Sequence, residues 1–204
     1  MERIKTGVPG FDNLIEGGFP KGFSVLLAGT PGTGKTIFSL RFLFEGLKNG
    51  EKCAYMSYVQ SKKDLVDQAA KFGWDVTGID ILEKPPDIKQ IMEEKHYTRL
   101  VLDSLPSLDF VGREPLGSLI TTLKKAECTS MMISEIPRKS RWFSRDKSSE
   151  FLCDGVLVME NVDAAGDVKS VLTIEKMRST KISKKKNFYD IKEKGLVVKD
   201  YSGV

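Results

Sequence analysis

The sequence predicts an α/β fold, in which a central, mostly parallel sheet is flanked by helices and ends in antiparallel strands. In the first two thirds of the chain, apolar strand-like runs alternate with segments of helical periodicity, which is typical of parallel strands joined by crossover helices. In the last third, strand-like runs follow one another across short turns, and short turns join antiparallel strands. A chain of 204 residues suits one domain, and we expect residues 1–204 to form it.

The first third of the chain carries clear boundary signals. Asn49-Gly50 is a helix stop, and Ser61 stands where a helix N-cap is expected, before apolar residues at helical spacing. In chain order, the expected elements are a turn with a short amphipathic helix over 6–22, a strand over 23–28, a helix over 36–48, a strand over 52–58 and a helix over 62–72.

The remaining elements follow from runs of apolar residues between turn signals. Pro85-Pro86 is a break, and the segment Asp163–Asp167 reads as a hairpin turn. The expected elements are a short strand over 79–82, a helix over 87–95, a strand over 99–104, a helix over 115–127, a strand over 130–134, and two strand pairs, 155–160 with 169–176 and 188–191 with 195–199.

The composition argues against several classes of protein. The net charge of +4 is too mild to indicate nucleic-acid binding by itself. The cysteines, Cys53, Cys128 and Cys153, are far apart and form no Cys-x-x-Cys pair, which argues against zinc and disulfides and favours buried thiols in a reducing cytosol. The amino terminus lacks an apolar signal core, and no run approaches the roughly 20 apolar residues of a membrane helix. We therefore expect a cytoplasmic protein with no membrane segment.

The stretch between the first strand and the first long helix has the spacing of a phosphate-binding loop, G-x-x-x-x-G-K-[ST]. Its glycines let successive N–H groups point at an anion, and the helix start adds free N–H groups and a positive dipole end. Lys35 can reach the β- and γ-phosphates, and the Thr36 hydroxyl can ligate Mg²⁺. The predicted triphosphate contacts are Gly29, Thr30, Pro31, Gly32, Thr33, Gly34, Lys35 and Thr36.

Asp103 is the predicted second magnesium ligand. It ends the apolar run 99–103, downstream of the phosphate loop. Ligands of a parallel α/β sheet bind at the carboxyl ends of its strands, so Asp103 would face the phosphates. The alternative is a strand-end aspartate that caps the next turn. Because the phosphate loop is present, we favour a magnesium role, either direct or through water.

A second candidate site lies in the segment 136–149, which is basic and carries two aromatic residues. Cationic side chains grip a phosphate backbone and aromatic rings stack on bases, so the segment could bind single-stranded nucleic acid. The alternative is a solvated loop with a partly buried aromatic anchor, and the residues by themselves favour it. The nucleic-acid candidates are Arg138, Lys139, Arg141 and Trp142.

Together these motifs resemble those of the RecA-like ATPases, and most closely the KaiC-type family of bacteria and archaea. The segment 6–12 with Gly17-Gly18 looks like the first motif of that family, with Phe11 where leucine is usual. The phosphate loop and the strand that ends in Asp103 are similar to its nucleotide motifs, and further similarity extends through the C-terminal third. The resemblant segments there are 150–156 and 176–180.

The resemblance implies a RecA-like core that binds ATP with Mg²⁺ and assembles into rings, usually hexamers, with ATP between neighbouring subunits. In that family, the residues at the positions of Lys176 and Arg178 reach the γ-phosphate on a neighbouring subunit, which is the action of an arginine finger in trans. It therefore implies a homo-oligomer and adds Lys176 and Arg178 to the nucleotide site. The sequence by itself would place both on a solvated strand face.

The chain departs from the family at the water-activating position. Hydrolysing members carry one or two glutamates after the second strand, where this chain has Val59 and Gln60. Valine does no acid–base work, and glutamine orients water but cannot take its proton at neutral pH. Positioning by glutamine can suffice in a loose phosphoryl-transfer transition state. The candidate catalytic residues are therefore Lys35, Gln60 and, at the end of a later strand, Glu135, and we expect slow hydrolysis.

The prediction is an ATP-binding protein that acts as a weak ATPase or a nucleotide-gated switch. The alternative is a nucleic-acid-binding module, like the recombinases of the RecA superfamily, that uses the basic segment 136–149. A third interpretation, a structural ring subunit that holds nucleotide without turnover, differs from the first only in rate.

Overall fold

A nine-stranded sheet forms the centre of the structure, a computed structural model that describes residues 1–84, 87–104, 116–136, 142–144, 147–164 and 166–199. A separate two-stranded sheet lies near the amino terminus. The strands are β1 (Arg3–Ile4), β2 (Phe19–Pro20), β3 (Ser24–Gly29), β4 (Cys53–Ser57), β5 (Asp80–Glu83), β6 (Arg99–Asp103), β7 (Thr129–Glu135), β8 (Gly155–Ala164), β9 (Asp167–Met177), β10 (Asn187–Lys192) and β11 (Gly195–Val198).

The strand order in the large sheet is β11-β10-β9-β8-β3-β7-β6-β4-β5. The six strands from β8 to β5 run parallel to one another. The last three strands of the chain add to the β8 edge in antiparallel fashion. This arrangement confirms the predicted fold, because crossover helices separate the parallel strands while short turns join β8 to β9 and β10 to β11.

Five helices connect the strands among the described residues. Ser61 caps α2 as predicted and forms a reciprocal capping box with Asp64. Asp87, which was predicted as the first residue of a helix, is instead the N-cap of α3 and accepts a hydrogen bond from the N–H of Gln90. The helices are α1 (Lys35–Lys48), α2 (Lys62–Ala70), α3 (Ile88–Lys95), α4 (Leu116–Lys125) and the single turn α5 (Ser149–Leu152).

The sheet is buried on both faces, which follows from the alternation of side chains along each strand. In the central strand β3, Val25 and Leu27 point into one apolar cluster with α1 and the amino-terminal segment. Leu26 and Ala28 point into the other cluster, on the side of α4. Every residue of β3 is buried, so this strand meets the surface only through the segments at its ends, and the phosphate loop follows its carboxyl end.

Some predicted details were wrong. The short amphipathic helix expected within 6–22 is a 3₁₀ turn over Asp12–Ile15, and the β1–β2 pair on either side of it was not predicted. Strand β8 ends at Ala164 and β9 begins at Asp167, so the turn between them is shorter than the predicted turn over 163–167.

The three cysteines are buried and free, as predicted. Among the described helices, none is long and apolar enough to cross a membrane.

Candidate functional site

The phosphate loop joins β3 to α1 at the carboxyl end of the parallel strands. A side chain at Gly29 would stand with its Cβ 2.4 Å from the carbonyl oxygen of Met159 in the neighbouring strand, so only glycine allows this approach. Gly34, the N-cap of α1, has a φ of +86°, a left-handed conformation that favours glycine. The exposed tip lies between them at Pro31 and Gly32. The loop thus presents backbone N–H groups and a helix start at the surface.

Lys35 is folded back onto the loop that precedes it. Its Nζ donates to the carbonyl oxygens of Gly29 and Thr30, at 2.9 Å each, and the side chain is buried. Burial lowers the pKa of Lys35, while the nearby carboxylates of Glu135 and Asp103 oppose that shift. The ammonium is therefore held within the loop by neutral acceptors that an anion can replace.

Asp103 ends β6 beside this lysine, and its orientation is fixed by a tyrosine. The hydroxyl of Tyr55 in β4 donates to Asp103 Oδ2 at 2.6 Å, and both side chains are buried. Burial raises the pKa of Asp103, and the Tyr55 hydrogen bond and the Lys35 charge act in the opposite direction. Sequence reasoning missed Tyr55, although a polar aromatic residue within a buried strand was a usable signal.

Gln60 points toward the start of α1. Thr36 Oγ1 lies at 3.5 Å from Gln60 Oε1, a long hydrogen bond. The backbone of Gln60 is tied to Ser57, whose hydroxyl donates to the Gln60 carbonyl at 2.7 Å and accepts from its N–H at 3.0 Å. The neighbouring Val59 is 70% exposed. Of these two residues, only Gln60 is thus directed at the phosphate loop.

Glu135 belongs to the same cluster. It ends β7 directly opposite Gly29 in the parallel pairing of β7 with β3, and the N–H of Ile136 donates to the Gly29 carbonyl at 3.1 Å. Its carboxylate acts on the pKa of both Lys35 and Asp103. The structure therefore brings together Lys35, at the start of α1, and the two strand-end carboxylates of Asp103 and Glu135.

A contact from the last quarter of the chain supports the loop. The hydroxyl of Tyr189 in β10 donates to the carbonyl of Thr33 at 2.6 Å, and both residues are buried. Burial raises the pKa of Tyr189 to about 12, so the hydroxyl keeps its proton at neutral pH. Sequence reasoning did not identify Tyr189, because nothing local relates it to a loop 156 residues away.

Lys176 and Arg178 lie at the opposite end of the sheet. Lys176 pairs with Val156, near the start of β8, whereas Gly29 of the loop pairs with Met159 of that strand. Lys176 Nζ donates to backbone carbonyls at the end of α5, with the shortest distance, 2.6 Å, to Cys153. Arg178 Nη1 donates to Asp154 Oδ1 at 2.9 Å. One chain therefore does not bring these cations to its own phosphate loop.

The nucleic-acid candidates are only partly described. Trp142 is 42% exposed and packs edge-on against Phe151, with ring centroids 6.2 Å apart. Arg138, Lys139 and Arg141 lie outside the described residues.

The oxygen donors near the loop fit Mg²⁺. Across the part of the chain that the structure describes, no three His, Cys, Asp or Glu side chains converge into a metal cage. Mg²⁺ in nucleotide sites is bound through one or two carboxylates together with substrate phosphates, so such a cage is not required. The buried, oriented carboxylate of Asp103 and the hydroxyl of Thr36 are the donors available for it.

Comparison with known proteins gives concordant results. A family model described as "ATPase: KaiC" matches residues 4–84 and 80–202. A UPF0273 protein of Pyrococcus horikoshii is 32% identical, over 96% of this chain and 93% of that protein. The circadian clock protein KaiC3 of Synechocystis is 30% identical over the whole chain, which spans 47% of that protein. The crystal structure of a KaiC-like protein from P. horikoshii superposes with a TM-score of 0.87 at 34% identity, covering 98% of this chain and 99% of that one.

Proposed function

Because this chain belongs to the KaiC family of ATPase domains, we propose that it binds Mg·ATP at the loop 29–36 and acts as a nucleotide-gated switch with weak ATPase activity. The observation that carries the proposal is the convergence of Lys35, Asp103 and Gln60 around one glycine-rich loop. Each group has the chemistry that a triphosphate with its magnesium ion requires.

Phosphate binding depends on an exchange of partners at Lys35. In the structure, its ammonium donates to two neutral carbonyls. A phosphate oxygen is a stronger acceptor, because charge-assisted hydrogen bonds are about twice as strong as neutral ones. The free N–H groups at the start of α1 add to the attraction. Binding therefore moves the ammonium from the loop carbonyls to the β- and γ-phosphates.

Asp103 and Thr36 are the residues that would hold magnesium. The ion would neutralise charge on the β- and γ-phosphate oxygens. Tyr55 fixes the Asp103 carboxylate from behind through the 2.6 Å hydrogen bond, which limits the side chain to one orientation. That restraint reduces the entropy lost when the metal site forms.

Gln60 is the candidate for positioning the attacking water. Its amide is neutral, so it orients water by hydrogen bonding and takes no proton. Glu135 is the candidate base, since it ends β7 opposite Gly29 of the phosphate loop. With positioning as the main contribution, hydrolysis is expected to be slow.

The position of Lys176 and Arg178 supports a site shared between two copies of the chain. They stand at the amino end of the strands, while the loop stands at the carboxyl end. Cations so placed can meet a triphosphate only when it is bound to another copy. In this proposal, a head-to-tail homo-oligomer closes each nucleotide site with the Lys176 and Arg178 side chains of its neighbour.

Steady-state phosphate release from Mg·ATP tests the proposal, with Lys35→Ala as the blank. We expect slow turnover above the blank, a loss in Gln60→Ala and a gain in Gln60→Glu, which restores a carboxylate. Equal rates in the wild type and Gln60→Ala would contradict the role of Gln60. A wild-type rate equal to the blank would remove the ATPase activity and leave nucleotide as a ligand that controls assembly.

The nucleic-acid alternative stays a prediction. It expects single-stranded DNA binding that weakens with salt and with alanine at Arg138, Lys139 and Arg141. Absence of binding at low salt would remove it.

A further inference from the structure

Among the described residues, seven large apolar side chains are exposed, and five of them lie around the two halves of the proposed shared site. Two lie beside the phosphate loop: Val59, next to Gln60, and Ile191, whose Cδ1 is 3.0 Å from where a Cβ at Gly34 would stand. Three lie beside Lys176: Trp142, Phe151 and Leu152.

The second group borders a cavity. A surface cavity of about 480 Å³ is lined by apolar and charged residues; the apolar ones are Trp142, Phe143, Phe151 and Val156, and the charged ones are Glu150, Glu175 and Lys176. Phe151 is 62% exposed at its rim, and Phe143 packs against the core beneath it. We refer to it as the aromatic cavity. The cavity is large enough to admit a branched aliphatic side chain, and its aromatic residues offer that side chain an apolar surface.

The first group offers such a side chain. Val59 is 70% exposed, although it lies only two residues beyond the buried strand β4 and its neighbour Gln60 is turned toward Thr36. An exposed valine at the rim of a polar site buries nothing in the isolated chain. Its removal from water at a contact with another copy would stabilise that contact, because burial of an apolar side chain is favourable.

Val59 and the aromatic cavity cannot meet within one chain. Val59 follows the carboxyl end of β4, and the cavity lies beside Val156 at the amino end of β8. A contact between them therefore needs two copies in a heterologous, head-to-tail arrangement, which closes into a ring or continues as a filament. Charge favours the same orientation, because Lys176 and Arg178 beside the cavity then face the bound triphosphate.

We propose that Val59 of one copy inserts into the aromatic cavity of the next copy and so anchors the shared nucleotide site. The inference rests on the proposed function for its head-to-tail geometry. It also gives a physical role to an exposed apolar side chain that lies beside Gln60 and does no acid–base chemistry.

The first test compares Val59→Asn with Val168→Asn by sedimentation velocity, in Mg²⁺ and a non-hydrolysable ATP analogue. Val168 is a matched control, since it is 75% exposed and lies on the β8–β9 hairpin. We expect Val59→Asn to weaken each subunit contact at least tenfold, which is about 1.4 kcal/mol. Val168→Asn is expected to assemble like the wild type. Equal assembly of the two variants would overturn the inference.

A second test detects the contact directly. Val59→Cys and Phe151→Cys, prepared separately and mixed with the ATP analogue, are treated with a short bismaleimide. The native cysteines are buried and do not compete. We expect a covalent species that needs both variants, and no more than background when Val168→Cys replaces Val59→Cys. Cross-linking no stronger than that control would overturn the inference.

The two proposals fail separately. Nucleotide binding is measured on the same samples by calorimetry. A wild type that binds the ATP analogue but sediments as a monomer would overturn the Val59 contact and leave the nucleotide site in place. A folded wild type that binds no nucleotide would overturn the proposed function itself.

Discussion

Tyr189→Phe removes one oxygen atom and tests whether the C-terminal strands support the phosphate loop. The Tyr189 hydroxyl donates to the Thr33 carbonyl at 2.6 Å in a buried site. Replacing it with hydrogen leaves the ring packing intact and withdraws a partner from a carbonyl that water does not reach. The change thus isolates one hydrogen bond, which links β10 to the phosphate loop.

The expected magnitude follows from that burial. Leaving a buried acceptor without its donor costs about 1–3 kcal/mol of the free energy of unfolding. For a chain of this size, each kcal/mol lowers the unfolding midpoint by roughly 2–4 °C, so we expect a fall of roughly 2–12 °C. The lost hydrogen bond holds the phosphate loop at Thr33, so the loop is less ordered in the variant. Part of the free energy of nucleotide binding is then spent on ordering the loop. We expect about fivefold weaker ATP binding, roughly 1 kcal/mol.

The assay is thermal unfolding together with calorimetric titration of an ATP analogue. Tyr97→Phe is the matched control, since the Tyr97 hydroxyl donates to Asp80 Oδ2 at 2.5 Å, away from the loop. Tyr97→Phe is expected to lower the unfolding midpoint without changing nucleotide affinity. Equal nucleotide affinities in Tyr189→Phe and Tyr97→Phe, or an unchanged unfolding midpoint in Tyr189→Phe, would show that the Tyr189 hydroxyl does not support the phosphate loop.

Three further substitutions test separate features. Asp103→Asn should raise the unfolding midpoint at pH 8, because burial raises the pKa of Asp103 and makes its charged form costly in the folded state. The gain should vanish as the pH falls through that pKa, since the wild-type carboxyl is then neutral too. Magnesium-dependent ATP binding should be lost in the variant. A lower midpoint at pH 8 would contradict this. Gly29→Ala should cost roughly 1–3 kcal/mol in urea unfolding and abolish nucleotide binding, because its Cβ would meet the Met159 carbonyl at 2.4 Å. Arg99→Leu should cost roughly 3 kcal/mol in the same assay, since the buried guanidinium pairs with Glu51 at 2.6 Å; a cost below 1 kcal/mol would show that the pair is replaceable.

Local patterns were sufficient to predict most of the architecture. The phosphate loop, the capping of α2 by Ser61 and the antiparallel finish all follow from residues close together in the chain. These features depend on turn chemistry and side-chain alternation, which act over a few residues. The 3₁₀ turn over Asp12–Ile15 was misassigned because a single turn carries too few residues for its period to be distinguished.

The features that local patterns could not predict depend on strand order. The Tyr55 hydroxyl reaches Asp103 because β4 and β6 are neighbours, although the residues are 48 positions apart. Tyr189 reaches the phosphate loop from β10, which lies three strands away from β3 in the sheet, and no local pattern in the sequence gives that strand order. The distance of Lys176 from the loop likewise follows from the register of β8 with β9. Each contact requires the assembled sheet before it can be seen.

Calorimetric titration of a Mg·ATP analogue into the wild type and into Lys35→Ala tests whether the loop 29–36 is the nucleotide site. Lys35 exchanges two neutral hydrogen bonds for charge-assisted bonds to phosphate, so we expect saturable wild-type binding and roughly hundredfold weaker binding in the variant, about 2.7 kcal/mol. AMP, which lacks the phosphates that Lys35 reaches, should lose little affinity on the same substitution. Equal affinity of the two proteins for the ATP analogue would contradict the assignment of the loop as the nucleotide site.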